Sequence, residues 1–210
     1  ANQLVRIDLP GGGAATYKYD PLGRRIEKNV SGVVTAYLYD LSSTLLELDS
    51  GGAMQARYTP GPGVDLPLMM ERGGQVYFYH QDGQANVAHL TNASGNTVCS
   101  YRYDSFGRTQ PCQNVANPYG FAGREYDAES GLYYMRARYY DPSVGRFLSS
   151  DPLDLANLLL TAQDRRAGLA LLPASSAALA GPAGMGALRS PQQLNPYSYA
   201  LNNPVAFRDP

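Results

Sequence analysis

The 210-residue chain carries 17 tyrosines, 22 glycines, 15 prolines and no tryptophan, a composition that favours strands and turns over a helical bundle. Lys and Arg total 17 against 18 Asp and Glu, a net charge of −1, so no basic face advertises nucleic acid. Two cysteines and two histidines are too few for a disulfide framework or a metal cage, and no cofactor is expected.

The chain opens without a charged-then-apolar leader, which leaves export unaddressed. Gly11-Gly-Gly13 lacks the Lys and Ser/Thr that complete a phosphate loop and reads as a turn or linker. Tyr-Asp then recurs at 19–20, 39–40, 103–104, 126–127 and 140–141; Tyr19 and Tyr39 are 20 apart, and Tyr58 follows 19 later within Gln55-Ala-Arg-Tyr-Thr59. Such a period marks a repeat. The fuller units, Tyr17-Lys-Tyr-Asp-Pro-Leu-Gly-Arg24 and Tyr101-Arg-Tyr-Asp-Ser-Phe-Gly-Arg108, give a strand ending in aromatics and then Asp and Gly, as a hairpin requires. Asp20, Asp40 and Asp104 are expected to cap turns by accepting backbone amides, without a catalytic role. A 20-residue hairpin cannot cover its own faces, so the units must stack on neighbours and the chain reads as part of a longer β-structure. Folded alone, its N-terminal strand edge should be exposed and inclined to pair with another copy.

His80 and His89, nine apart with no third ligand at metal spacing, are expected as strand histidines packed against tyrosines. Cys99 and Cys112 flank Tyr101-Arg-Tyr-Asp104; a bridge is open to them, with two buried or free thiols as the default. The sequons Asn29-Val-Ser31 and Asn92-Ala-Ser94 are common by chance and carry no weight.

The densest block runs from Gly131 to Pro152. Leu132–Tyr140 is expected as one strand, stopped by Asp141-Pro142, with a second extended run over Val144–Leu148 closed by Asp151-Pro152. Beyond it, Leu155, Leu158, Leu159 and Ala162 share a helical face and Asp154 suits a helix N-terminus, so a short amphipathic helix is expected over 154–166. Ala167–Leu188 is uncharged but interrupted by Gly168, Pro173, Gly181, Pro182, Gly184 and Gly186; a flexible or interior-facing excursion is expected, not a membrane span. Strand-and-turn grammar returns at Asn195-Pro-Tyr-Ser-Tyr199 and Asn202-Asn-Pro-Val205, ending in Asp209-Pro210.

The ordered series Phe121-Ala-Gly-Arg-Glu-Tyr-Asp127, Gly131-Leu-Tyr-Tyr134, Arg138-Tyr-Tyr-Asp-Pro142, Gly145-Arg-Phe-Leu148, Asp151-Pro152, then the 195–210 motifs, resembles the RHS repeat-associated core domain. The close match spans 117–152 and 195–210, with a looser YD-repeat match over 15–116. Members include bacterial Rhs polymorphic toxins, the C subunits of insecticidal toxin complexes and, more distantly, the teneurins. The resemblance implies an all-β fold: YD-repeat hairpins over 1–116 in a curved, spiralling sheet that is part of a hollow shell, and an inward-turning core over 117–152 and 195–210, divided by the 153–194 insertion with its one short helix. It implies a shell enclosing a toxin or other C-terminal cargo, secreted or delivered at a cell surface. The partners are that cargo and upstream repeats or a shell subunit, with no nucleic acid and no membrane span in this segment.

The resemblance also implies an aspartyl autoprotease that cuts its own chain just beyond Pro210, with Asp151 and Asp209 as the catalytic carboxylates and Arg138 as the associated arginine. Two adjacent carboxylates share one proton, so one acts as acid while the other activates water. The chain departs from the family at Asp154, where glycine is usual, and in the 58-position spacing from Asp151 to Asp209, a much longer interval than relatives use. Both aspartates also read as plain turn residues before proline, and a teneurin-like adhesion module without proteolysis is the alternative reading.

Overall fold

The structure, a computed structural model, describes residues 3–63, 66–110, 112–151 and 195–207. Ten strands follow one another as an antiparallel meander: β1 (Arg6–Asp8), β2 (Ala14–Tyr19), β3 (Arg25–Val30), β4 (Val33–Asp40), β5 (Ser43–Leu48), β6 (Met54–Pro60), β7 (Pro67–Arg72), β8 (Gln75–Gln81), β9 (Val87–Asn92) and β10 (Thr97–Ser100). A second meander follows, of β11 (Glu125–Asp127), β12 (Leu132–Met135), β13 (Arg138–Asp141) and β14 (Arg146–Phe147). Among the described residues β1 pairs only with β2, so its other edge is open as the sequence suggests.

Local turn chemistry generates the meander. Asp20, Asp49, Asp82, Asn92 and Asp104 each accept, on one side-chain oxygen, the backbone amides two and four residues ahead at 2.9–3.0 Å. The same residue's amide donates to the carbonyl four ahead. Five turns therefore share one design, a side chain standing in for a backbone turn. Asp20 and Asp104 behave as expected; Asp40 does not, because it faces Ser43 across a two-residue turn with Leu41 at φ 50°.

A period of about 20 reappears as burial, but two of its members are shifted: Tyr19 and Tyr39 are half-buried, and the buried series runs through Tyr17 and Tyr37. Tyr17, Tyr37, Tyr58 and Tyr79, on β2, β4, β6 and β8, are all buried, so each two-strand unit sends one tyrosine to the same covered face. Over β2–β4 that face is covered by the small sheet, where Tyr17 and Ala15 pack with Leu132, Tyr134 and Tyr139. Towards β10 it is covered by the 101–120 connection: Tyr119 meets Tyr58 and Tyr79 edge-on at 5.1 and 5.9 Å, and the Tyr79 hydroxyl donates to Asn117 at 2.8 Å.

Several expectations are corrected. Leu132–Tyr140 is a hairpin, not one strand: the chain reverses at Arg136, φ 57°, pairing Tyr133 with Tyr140 and Tyr134 with Tyr139. Its continuous apolar run reflects burial on both faces, one against the ten-stranded sheet and one in a second cluster of Phe121, Tyr133, Tyr140, Phe147 and Tyr199. The unit at 101–108 keeps its turn but not its strands, since β10 stops at Ser100. Because the chain doubles back there, Cys112 returns beside β10 and is disulfide-bonded to Cys99, Cα to Cα 5.7 Å, in place of the two thiols expected. His80 and His89 are a register pair of β8 and β9 whose rings stack on each other at 4.5 Å, not on tyrosines. Among the described residues no group of three or more ligating side chains forms a metal site, and no helix is long and apolar enough to cross a membrane. The helix at 154–166 and the whole 153–194 insertion lie outside the described residues.

Gly107 shows how tightly the 104–108 turn docks. At φ 86°, it would place an added Cβ 2.5 Å from the Phe121 ring, while its carbonyl accepts the Tyr133 hydroxyl at 2.9 Å. Gly107→Ala is expected to cost about 2–4 kcal/mol, left-handed strain plus overpacking. Gly52→Ala in the open turn at φ 82°, with nothing within 4 Å of the added Cβ, should cost only the strain, about 1–2 kcal/mol. Urea unfolding of the two variants side by side checks the difference.

Candidate functional site

The small sheet is fastened to the large one by a buried ionic cluster. Arg25, at the start of β3 and 1% exposed, donates from Nη1 to Asp127 Oδ2 at 2.5 Å and to the Tyr139 hydroxyl at 3.0 Å, and from Nη2 to Glu125 Oε2 at 2.6 Å. Tyr17, Tyr37 and Tyr134 face the guanidinium with ring centroids 5.5, 5.2 and 4.5 Å away. Lys28 reaches Asp127 Oδ1 at 2.9 Å, and Thr44 donates to Glu125 Oε1 at 3.0 Å. Burial alone would raise the Asp127 carboxyl, but Arg25 and Lys28 hold it below the usual carboxylate range. Burial likewise disfavours the Arg25 cation, and Asp127 with its neighbours outweighs it, raising that group well above its usual range. Asp127 thus departs from Asp20 and Asp104: its backbone carbonyl closes the turn by accepting from Ser130 and Gly131, and its carboxylate is spent on Arg25 and Lys28. Sequence reasoning missed Arg25 altogether. The available signal was an arginine entering a strand whose ladder partner, Tyr19, belongs to a repeat tyrosine pair.

Past β14 the chain comes back at residue 195. Arg146 bridges Ser198, the Phe147 amide donates to Tyr197 at 3.0 Å, and the Asp151 amide donates to Pro196 at 3.0 Å. The 195–199 segment therefore lies along β14 and leads Tyr199, 2% exposed, into the aromatic cluster, 4.7 Å from Tyr140 and 5.7 Å from Phe121. Ala200, Leu201 and Asn202 follow at φ 45°, 56° and 60° in a left-handed turn. The chain then crosses to the β8–β9 turn, where the Gln84 side chain donates to the Val205 carbonyl.

Two of the three sequence-expected site residues meet here. Arg138, buried on β13, pairs through Nη2 with Asp151 Oδ2 at 3.0 Å, donates from Nη1 to the Pro196 carbonyl at 3.3 Å and lies 3.5 Å over the Phe147 ring. Its guanidinium is thus fixed by a carboxylate, a carbonyl and an aromatic face. The Asp151 side chain is 28% exposed, so one carboxylate is oriented by an arginine with solvent access retained. Asp209, the third residue, lies outside the described residues.

Comparison with known proteins gives a consistent context. A family model described as teneurin YD-shell matches residues 1–167. The tRNA3(Ser)-specific nuclease WapA of Bacillus spizizenii is 44% identical over 144 residues, covering 66% of this chain and 6% of that protein. Toxin protein Tse5 of Pseudomonas aeruginosa is 29% identical over 234 residues, covering 93% of this chain and 15% of that protein. Among solved structures, TcdB2-TccC3-Cdc42 superposes with a TM-score of 0.64 at 21% identity, over 99% of this chain and 10% of that one. The chain thus spans only 6–15% of the length of these relatives.

Proposed function

The chain belongs to the teneurin YD-shell family, a segment of RHS/YD shell, and from that membership we propose that it is the closing part of a container for a toxin or other cargo carried downstream in the same polypeptide. The observation that carries this reading is the kind of segment shared. A protein named as a tRNA nuclease and one named as a toxin have this stretch in common over a small fraction of their length. In this chain that stretch is wall: an open ten-stranded sheet whose tyrosine face is covered by a folded-back four-stranded sheet and by the 101–120 connection. A wall segment common to differently named proteins supports a housing role and leaves the named activities elsewhere in those chains. The open edge of β1 suits continuation by upstream repeats, and toxin relatives support a product that is secreted or delivered at a cell surface.

On this reading the chain also cuts itself beyond Pro210. Asp151 is the carboxylate that Arg138 orients, so it is assigned as the dyad's base and Asp209 as its acid. Asp151 then takes a proton from water as it attacks the scissile carbonyl, and Asp209 protonates the departing amide nitrogen, leaving a new carboxylate and a new amine. Substrate and enzyme are one chain, so proximity supplies much of the rate.

Intact-mass spectrometry of the natural chain extended past Pro210 is the test. The expected result is cleavage in the parent, none in Asp151→Asn or Asp209→Asn, and a rate about 10²-fold lower in Arg138→Met. An uncut parent removes the protease and leaves the container and adhesion readings; cleavage that persists in Asp151→Asn removes the assigned dyad.

A further inference from the structure

The disulfide sits at the hinge between the two sheets. Cys99, next to last in β10, packs in the ten-stranded core, and Cys112 begins the return towards Val115 and Tyr119, which cover that core. Between them runs the 104–108 turn, whose carbonyls at Phe106 and Gly107 accept the Tyr140 and Tyr133 hydroxyls at 2.8 and 2.9 Å. Arg108 adds a bond to the Ser143 carbonyl at 3.0 Å. The cross-link therefore closes the loop on which the small sheet docks. The two residues differ in exposure: Cys99 is 4% exposed, while Cys112 is half-buried and neighbours exposed Gln113 and Asn114.

We propose that Cys99–Cys112 is a dithiol-reducible clasp, opened by attack at Cys112, that controls how firmly the 101–120 connection and the small sheet are held on the ten-stranded sheet. A thiolate of the reductant forms a bond to the Cys112 sulfur as the S–S bond breaks, and the Cys99 thiolate leaves and takes up a proton. The reductant's second thiol displaces Cys112 from the mixed disulfide. The protein gains two electrons and two protons, and the dithiol becomes a disulfide. Reduction frees a loop whose closure constrained the unfolded chain and whose docking bonds hold the small sheet from one side. The use of such a clasp, in a shell passing from an oxidising to a reducing compartment, rests on the container reading; the chemistry does not.

The experiment uses the 210-residue chain in air and after dithiothreitol, followed by alkylation mass spectrometry, hydrogen exchange and thermal melting. In air neither cysteine should be alkylated. After reduction both should be, with exchange across 101–120 faster by about tenfold or more while β2–β5 stay protected, and with a melting temperature lower by roughly 5–12 °C. Glutathione should leave its adduct on Cys112. Cys99→Ser/Cys112→Ser should match the reduced protein and be indifferent to dithiothreitol. Alkylation in air, unchanged exchange on reduction, or an adduct on Cys99 would each overturn the proposal, and none of these bears on cleavage beyond Pro210.

Discussion

Arg25→Met is expected to destabilise the fold by about 3–5 kcal/mol, because it strands Asp127 and Glu125 in the interior without the cation between them. Against a typical stability of about 5–15 kcal/mol the loss is large. It should appear in urea unfolding as a lower midpoint with an unchanged slope. The cluster joins β3 to β11 across about a hundred residues of sequence, so the variant should also loosen the small sheet first, read as early loss of hydrogen-exchange protection in β11–β13. A compensated variant separates charge from shape. Arg25→Met combined with Asp127→Leu and Glu125→Leu should recover much of the loss, since Lys28 keeps its pair with Glu129 at 3.1 Å and apolar replacement of a buried ionic group is often neutral. If Arg25→Met alone is within about 0.5 kcal/mol of the parent, the range of an ordinary surface change, the cluster is not the fastening it is taken to be.

The stability of the chain should collapse on the alkaline side within about one pH unit of the ordinary tyrosine value near 10. Burial holds Tyr37, Tyr58, Tyr79, Tyr119, Tyr133 and Tyr139 neutral well above that value, and raises Tyr134 to about 12. Below pH 10 or so these groups are protonated in both folded and unfolded chains, so their stabilising effect is fully present. Above it the unfolded chain ionises and the folded one resists. Each resisting tyrosine then costs about 1.4 kcal/mol at one unit past its ordinary value, and four or five together reach the lower end of a domain's whole stability. Tyrosinate absorbance and far-ultraviolet circular dichroism should change together, cooperatively. A gradual tyrosinate titration with the sheet intact would show that these rings are not held as described. On the acid side the sign reverses. The Asp127 carboxyl is held below its ordinary range, so the stability it contributes is present above that range and is lost as pH falls through its folded value.

What was legible in the sequence was what local chemistry determines. The meander follows from turn-capping Asp and Asn side chains, and the repeat period from tyrosines that recur on alternate strands. Even here the Tyr-Asp pattern was too narrow. Asp49, Asp82 and Asn92 build the same turn after Leu48, Gln81 and Thr91, since the turn requires the side-chain oxygen and not the aromatic before it. The break at Arg136 was hidden because burial on both faces erases the alternation that would have separated β12 from β13. The disulfide depends on how far the chain doubles back after Ser100, and Arg25 on a contact with residues a hundred positions away; neither is a local property. Arg138 and Asp151 were identified through resemblance alone, and their ion pair is what the structure adds.

The most direct measurement of the central claim is an electron cryo-microscopy reconstruction of the natural polypeptide in which this chain occurs. The expected result is a closed wall continuing from β1, with β11–β14 seated on its inner face through Arg25 and the downstream polypeptide enclosed. A wall that stays open, or a downstream region lying outside it, would contradict the container.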